Sequence, residues 1–449
     1  MKRRIWSLLF IIGVMALIIG CSSETKGNNA EESPKSGVAE KNPKTDEPEE
    51  ATVALMIHWG EKDFEKTFNQ HVKKALPHIT LTYIQASGKE EIEENFAKGF
   101  VPDIVMGSDF RMFKELDLLR DQMPLVEKHG LDLGLYDPGI IESLKNASLE
   151  GELNALPVFR PGYIMAYNKD IFDAFGVPYP TDNMTWDEVI ELGRQLSGER
   201  DGQKYHGLWP GRDQLAQVSA TIIDPETNEP NILDNKELRI FLERQQTIFN
   251  IPENLPEMDS MEDLADFMYN GNNADPIFDY ALFPGRDQTN GFTYREAEAG
   301  LNFDWVTYPT WGGDYPDYLP NELYNNLFVT SQSENPDAAF EVLAYLMSEE
   351  YQKWSVTTGG STALLNKEIY DEFGKELDHA EVLDDKNTQA LFQLQGAPIP
   401  KKSHYEGPLY KTLVINAYQR LLEGEDINTV IRVMDEEARN MIKDLAGKE

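Results

Sequence analysis

The order of apolar segments at the start of the globular sequence is the feature that most constrains the fold of this chain. Three apolar runs, Val53–Ile57, Ile79–Ile84 and Asp103–Gly107, alternate with the segments 64–76 and 90–97, whose apolar residues recur at helical spacing. Strand, helix, strand, helix and strand in this order predict a parallel sheet with right-handed crossovers. We therefore expect an α/β fold, with ligands bound at the loops after the carboxyl ends of the strands.

A second informative stretch has the pattern of a crossing between two structural units. Leu153–Val158 and Tyr163–Tyr167 are mostly apolar and predict two short strands. The Arg160-Pro161-Gly162 break separates them. Further on, Thr185 and Glu188 have the spacing of a capping box, which predicts the start of a helix.

Four motifs in this stretch carry a family resemblance. They are Ala155-Leu156-Pro157, Tyr167-Asn168-Lys169-Asp170, Phe175-Gly176-Val177-Pro178 and Thr185-Trp186-Asp187-Glu188. Together they resemble the extracellular solute-binding proteins of ATP-binding cassette (ABC) importers, in the branch that binds sugars and oligosaccharides. The motifs are specific for the family, and they do not identify the ligand.

The resemblance implies a periplasmic-binding-protein-like fold of type II, with two α/β lobes joined by crossover hinge strands. It implies that lobe 1 consists of residues 51–159 and 310–358, and that lobe 2 consists of residues 160–309 and 359–449. Such discontinuous lobes follow from the wiring of the family. Length alone would predict only that there are two domains, because about 400 residues exceed one typical domain.

The N-terminus has the pattern of a lipoprotein leader. Residues 1–20 hold three basic residues and then an apolar run, as in a signal peptide, although a transmembrane anchor is the alternative. The following Cys21 resembles the cysteine of a bacterial lipobox, which is diacylated in mature lipoproteins. It is the only cysteine, so no disulfide framework is expected. Residues 21–50 are polar and without aromatics, which predicts a disordered acidic tether.

The charge of the chain limits its partners. The formal net charge is −37, and removal of the three basic residues of the leader lowers it to −40. A body this acidic is repelled by phosphate backbones and anionic head groups, so we expect no nucleic-acid partner. Attachment to the extracellular side of the cell membrane would then depend on the lipid at Cys21.

Candidate ligand-binding residues follow the first and third predicted strands. A sugar presents an apolar face and a rim of hydroxyls, so its site needs aromatic rings together with charged or amide groups. Trp59, Glu61 and Lys62 lie in the first loop, and Asp109 and Arg111 lie in the second. The family resemblance implies ligand contacts at both loops. The alternative is that these loops only pack against the lobe.

Further candidates lie at the crossing and in the sequence after it. Arg160 could bind an acidic sugar or form a salt bridge within the hinge, and Tyr163 lies beside it. Large aromatic residues are more often core than ligand-facing, and this alternative stays open for the others. The remaining candidates are Trp209, Asp279, Tyr280, Trp305, Trp311 and Tyr405.

The sequence favours binding over catalysis. It contains no His-Glu-x-x-His zinc pattern, no phosphate-binding glycine loop and no Gly-x-Ser-x-Gly nucleophile elbow, so we expect neither an enzyme nor a cofactor or metal. The resemblance implies a monomer that captures a carbohydrate by lobe closure and delivers it to ABC importer permease subunits. A secreted glycan-degrading enzyme and a ligand-sensing lipoprotein of the same fold remain alternatives.

Overall fold

The structure is a computed structural model that describes residues 48–148, 150–211, 214–256, 260, 263–264, 268, 280–286, 300–323, 325–378 and 380–447. From Glu49 onward the chain belongs to one compact unit. Within these residues no helix combines the length and apolar character needed to cross a membrane. The leader, Cys21 and nearly all of the predicted tether lie outside the described residues.

The chain alternates between strands and helices. The strands are β1 (Ala51–Ile57), β2 (Ile79–Gln85), β3 (Ile104–Met106), β4 (Tyr163–Asn168), β5 (Gly198–Arg200), β6 (Gln203–Leu208), β7 (Tyr280–Arg286), β8 (Phe303–Thr307), β9 (Tyr318–Leu319), β10 (Leu327–Val329) and β11 (Gln395–Gly396). The α-helices are α1 (Glu61–Phe64), α2 (Gln70–Ala75), α3 (Lys89–Ala97), α4 (Phe110–Glu115), α5 (Met123–His129), α6 (Pro138–Ala147), α7 (Lys169–Phe175), α8 (Trp186–Leu196), α9 (Lys236–Phe249), α10 (Pro336–Met347), α11 (Glu349–Thr357), α12 (Lys367–Tyr370), α13 (Glu406–Leu422) and α14 (Ile427–Ala446). This order confirms the predicted mixed α/β class.

The first sheet has the strand order β10-β3-β1-β2. Strand β1 runs parallel to β2 and to β3, as the alternating pattern predicts, and β10 is antiparallel to β3. In β1, Val53, Leu55 and Ile57 on one face and Met56 on the other are at most 1% exposed. Burial on both faces explains why β1 is a continuous apolar run rather than an alternating one.

The second sheet has the strand order β5-β6-β7-β4-β8. Strand β4 is antiparallel to both β7 and β8, and β6 is parallel to β7. Strands β6, β7 and β8 therefore end at the same side of the sheet, which is the side where β4 begins. We call this side the carboxyl edge of the second sheet.

Two local predictions are wrong. Leu153–Val158 is not a strand, because its only ladder contact is the isolated bridge between Leu156 and Leu327, and the following Pro157 has no N–H to continue the pairing. The pattern of residues 203–257 predicts helices separated by turns, but the segment begins with β6, which lies between β5 and β7. Pairing with distant strands outweighs local propensity there.

The local signals at helix termini are confirmed. Thr185 and Glu188 form both reciprocal hydrogen bonds of the capping box at the start of α8. Apolar spacing predicts a long amphipathic helical region over residues 410–446. The structure has α13 and α14 there, separated by a turn that contains Gly424 at φ +84°. Glycine adopts this backbone conformation without steric cost.

The buried apolar residues form several clusters. One contains β1, β2, β3 and β10 together with apolar residues from the segment 363–391. Another contains residues of α9 and of the segment 405–438. A third contains residues of β4, β7 and α8. The lobe boundaries expected from the family resemblance stay a prediction.

Candidate functional site

Trp59 is the candidate binding residue with the most informative surroundings. It lies in the turn between β1 and α1, at the carboxyl end of β1, and it is only partly buried. Its ring stacks on that of Phe68, with centroids 5.9 Å apart and an angle of 22° between the planes. The hydroxyl of Tyr83 donates to the carbonyl of Trp59 at 2.6 Å. These contacts fix the tryptophan ring while part of its surface stays accessible.

Phe159 joins this group and was not identified from the sequence. Its ring centroid lies 5.8 Å from that of Trp59 and 6.1 Å from that of Phe68, and it is partly buried. The structure therefore brings the loop after β1 and the crossing that contains Arg160 together. The available signal was the position of Phe159, an aromatic residue directly before the Arg-Pro-Gly break. We call Trp59, Phe68 and Phe159 the aromatic platform.

Charged and polar residues flank Trp59 in the chain. Glu61 and Lys62 are exposed in the first turn of α1, and His58 is exposed beside Trp59. Partial burial lowers the pKa of His58, so its imidazole is held neutral more readily than a free one. The pKa of Tyr83 is raised, first by burial and then by the negative charges of Glu61 and Asp63. Glu61 thus supplies a carboxylate, Lys62 an ammonium group and His58 an imidazole close to Trp59 in the chain.

The second loop of the first sheet is arranged differently. Asp109 is the N-cap of α4, where its Oδ1 accepts the backbone N–H of Met112 at 3.0 Å. Arg111 is exposed, and its Nε lies 3.6 Å from Oε1 of Glu115 one turn further along the helix. Asp109 is exposed as well. Their role in binding stays a prediction.

Arg160 is buried at the crossing, with 6% of its surface exposed. Its guanidinium donates to the carbonyl of Leu394 at 3.0 Å. Burial lowers its pKa, and the charge of Asp137 opposes that shift. Asp137 accepts the backbone N–H of Gly396 at 3.1 Å. Arg160 and Asp137 therefore both hydrogen-bond to the backbone of the segment 394–396.

The other aromatic candidates are packed in the interior, each at most 7% exposed: Tyr163, Trp209, Tyr280, Trp305, Trp311 and Tyr405. Tyr163 packs edge-on against Tyr308 at 5.6 Å, and its hydroxyl lies 3.4 Å from Glu322 Oε1. Trp305 packs against Phe373 at 6.3 Å. Whether any of these residues binds a ligand stays a prediction.

The contacts of Trp209, Tyr280 and Trp311 explain their burial. Trp209 packs between Tyr280 and Phe283, with centroids at 5.7 and 5.2 Å. The Tyr280 hydroxyl donates to the carbonyl of Asn254 at 3.1 Å. The ring of Trp311 lies under the guanidinium of Arg244 at 4.6 Å. Asp279 lies outside the described residues.

Among the described residues, no group of three or more His, Cys, Asp or Glu side chains could hold a metal ion. The arrangement around Trp59 instead consists of aromatic surface and separate hydrogen-bonding groups. Aromatic faces suit the C–H face of a sugar ring, and charged groups suit its hydroxyls. The carboxyl end of β1 therefore offers aromatic surface and hydrogen-bonding groups, and its role in ligand binding stays a prediction.

Several solved structures have a similar fold. A sugar transporter protein from Rhizobium etli in an open conformation superposes with a TM-score of 0.69 at 19% identity, covering 86% of this chain and 99% of the other. The sugar-binding protein MalE from Xanthomonas citri gives 0.65 at 16% identity, covering 88% and 98%. An ABC substrate-binding protein from Listeria monocytogenes, solved with cycloalternan, gives 0.60 at 15%, covering 88% and 100%.

At these identities the superpositions establish the fold, which is that of two-lobed type II binding proteins. The sequence itself establishes more, because the family model for bacterial extracellular solute-binding proteins matches residues 59–353. The matched part includes the aromatic platform, the loop before α4 and the crossing at Arg160. This chain belongs to the bacterial extracellular solute-binding protein family.

Proposed function

We propose that this protein captures a sugar or oligosaccharide outside the cell and delivers it to the permease subunits of an ABC importer. The observation that carries the proposal is the aromatic platform: the partly exposed ring of Trp59, fixed by Phe68 and Phe159, beside the exposed Glu61 and Lys62. Two solved relatives, a sugar transporter and a sugar-binding protein, support a carbohydrate ligand.

Binding would work by closure of two lobes around the ligand. A ligand that contacts both lobes only in the closed state shifts the population toward that state by its differential affinity. Phe159 is the last residue of the proposed first lobe before the crossing, and it contacts Trp59 in the loop after β1. A ligand on the platform would therefore lie where the chain passes between the proposed lobes, 51–159 with 310–358 and 160–309 with 359–449.

The protein would be a monomer held at the extracellular side of the membrane by lipid on Cys21. A Cys21→Ser variant, expressed with its leader in the native host, is then expected in the medium rather than in the membrane fraction. Retention of the variant in the membrane fraction would instead support an uncleaved apolar anchor.

A thermal-shift screen tests the ligand class. The probes are maltotriose, cycloalternan and a uronic-acid disaccharide, because the first two are neutral and the third is acidic. At one hundred times its Kd, a ligand of the native state adds about 2.7 kcal/mol to the unfolding free energy. For about 400 residues, with about 2.1 cal/mol/K of unfolding entropy per residue, this raises the Tm by about 3 °C.

The platform itself is tested by Trp59→Ala, with Trp354→Ala as the matched control. Trp354 is also partly buried, and it packs on His71 with centroids 3.9 Å apart. We expect Trp59→Ala to weaken binding of the stabilising probe by at least tenfold in calorimetry, and Trp354→Ala to leave it within twofold. Equal losses in both variants, or none in either, would contradict a platform at Trp59.

The same samples separate binding from its alternatives. Release of reducing sugar from cycloalternan or maltotriose would favour a glycan-degrading enzyme. Scattering profiles that are identical with and without the bound probe would contradict lobe closure. Normal uptake of the bound saccharide by a strain that lacks the gene would favour a sensing role over transport.

A further inference from the structure

Three fully buried glutamine side chains, here called the amide layer, bind backbone carbonyls in the segments that follow β6 and β8 at the carboxyl edge of the second sheet. Gln214, Gln217 and Gln245 each have 0% of their surface exposed. Such burial is unusual for glutamine, because removing an amide from water costs free energy unless it is hydrogen-bonded. All three side chains donate hydrogen bonds to backbone carbonyls.

The targets of Gln245 and Gln214 are the carbonyls directly after β6. Gln245 Nε2 donates to the carbonyl of Pro210 at 3.0 Å and to that of Gly211 at 3.1 Å. Gln214 Nε2 donates to the same Pro210 carbonyl at 3.1 Å. Gly211 has φ +62°, and a Cβ there would lie 2.8 Å from Cη2 of Trp186. The loop is thus held at two consecutive carbonyls in a conformation that favours glycine.

The targets of Gln217 and Arg244 lie after β8. Gln217 Nε2 donates to the carbonyls of Pro309 at 2.7 Å and Tyr318 at 2.9 Å, while its Oε1 accepts from Trp186 Nε1 at 2.8 Å. Arg244 donates to the carbonyl of Trp311 at 2.7 Å. Four buried side chains therefore hold carbonyls of both loops that leave this edge after β6 and β8.

Stability alone does not explain this layer. Within the described part of the chain, Oε1 of Gln214, Oε1 of Gln245 and Nη1 of Arg244 are buried and have no hydrogen-bond partner. An apolar filling of the same volume would avoid the cost of such atoms, which is about 1 to 3 kcal/mol each. What amides add is direction, because each N–H group fixes the position of one carbonyl oxygen.

We propose that Gln217 and Gln245 are positioning residues for ligand binding. They hold the loops after β6 and β8 in the geometry that the bound saccharide requires, and they do not touch the ligand. Ligands of open α/β sheets bind outside the carboxyl ends of the strands, and both loops lie there. The inference rests on the proposed function for the existence of a saccharide ligand, but its structural part does not need one.

The test uses Gln217→Met and Gln245→Met, which keep the side-chain length and remove the donors. Gln122→Met is the matched control. Gln122 is also 0% exposed, and its amide both donates to the carbonyl of Val329 at 2.9 Å and accepts its N–H at 3.2 Å. Val329 pairs with Ile104 at the start of β3, away from the carboxyl end of that strand.

Two readouts on the full chain decide the proposal. Hydrogen exchange without ligand is expected to be at least tenfold faster for backbone amides of 205–211 in Gln245→Met and of 306–311 in Gln217→Met, and unchanged there in Gln122→Met. Calorimetry with maltotriose, or with the probe that stabilises the wild type in the screen, is expected to show at least tenfold weaker binding for the two edge variants. Gln122→Met is expected to lower the Tm but to bind within twofold of the wild type.

The possible failures are distinguishable. Unchanged exchange in both loops overturns the positioning role, whether or not any saccharide binds. Faster exchange with unchanged affinity in folded variants also overturns it. If the wild type binds no probe, the proposed function fails while the exchange measurement still decides whether the amides hold the loops. Should Gln245→Met not fold, Gln214→Met, which removes a single bond, replaces it in both measurements.

Discussion

Replacement of Arg160 by methionine separates a hinge role from a ligand-binding role. In the structure the guanidinium donates to the buried carbonyl of Leu394 at 3.0 Å and is itself 6% exposed. A hydrogen bond from a charged group contributes about 1.5 to 3 kcal/mol, and the carbonyl left behind would have no donor. Part of this loss is offset because the guanidinium no longer has to be desolvated.

We therefore expect Arg160→Met to lower the unfolding free energy by about 2 kcal/mol. For a unit of about 400 residues this corresponds to a Tm lower by about 2 to 3 °C in differential scanning calorimetry. The matched control is Arg432→Met, because Arg432 is exposed and forms only a surface pair with Glu436 at 2.8 Å. Surface pairs contribute about 0 to 1 kcal/mol, so its Tm should change by about 1 °C or less.

The affinity of Arg160→Met for the saccharide probe completes the test. A residue that acts through the hinge alters affinity only through the population of the closed state, so we expect a change of less than tenfold. Loss of a direct charged contact to the ligand would cost about 2 to 5 kcal/mol, which is about thirtyfold or more. An unchanged Tm together with a thirtyfold loss of affinity would refute the hinge interpretation and restore Arg160 as a ligand-binding residue.

Two further predictions concern Gly211 and Glu406. Gly211→Ala forces a side chain into φ +62° and against Trp186, so we expect a loss of at least about 1 kcal/mol in urea denaturation. Gly407→Ala serves as control, because a Cβ added at Gly407 lies in open space. Burial raises the pKa of Glu406, although the backbone N–H groups of Ile222 and Ile223 oppose the shift. The stability that protonated Glu406 provides is complete below the usual glutamate pKa and is lost as pH rises through the raised value. As pH rises through the raised pKa, the unfolding free energy of the wild type should therefore fall relative to that of Glu406→Gln. A difference in unfolding free energy that stays constant with pH would contradict this.

The sequence predicted the parts of the fold that depend on neighbouring residues. The apolar runs and helical spacing before residue 107 correspond to β1, β2 and β3 and to the helices between them. The capping box at Thr185 correctly predicts where α8 begins. In each case the signal and the structure lie within a few residues of each other, so local chemistry is sufficient to determine the outcome.

The sequence could not predict which aromatic residues would be buried. Trp59 and Trp305 both belong to mixed apolar and polar segments, yet Trp59 stays partly exposed and Trp305 is 2% exposed. The burial of Trp305 depends on Phe373, a partner distant in the chain. Phe159 was not identified from the sequence either, because only the fold places it beside Trp59.

The polar contacts that define the site region are also non-local. Arg160 reaches a carbonyl 234 residues away, and Gln217 reaches one 92 residues away. Both contacts join a side chain to a backbone carbonyl, and carbonyls are the same at every position, so no pattern of residue types marks the partner. Local chemistry therefore determines where strands and helices form, whereas the geometry of the loops after them depends on a few buried donors whose targets only the folded chain reveals.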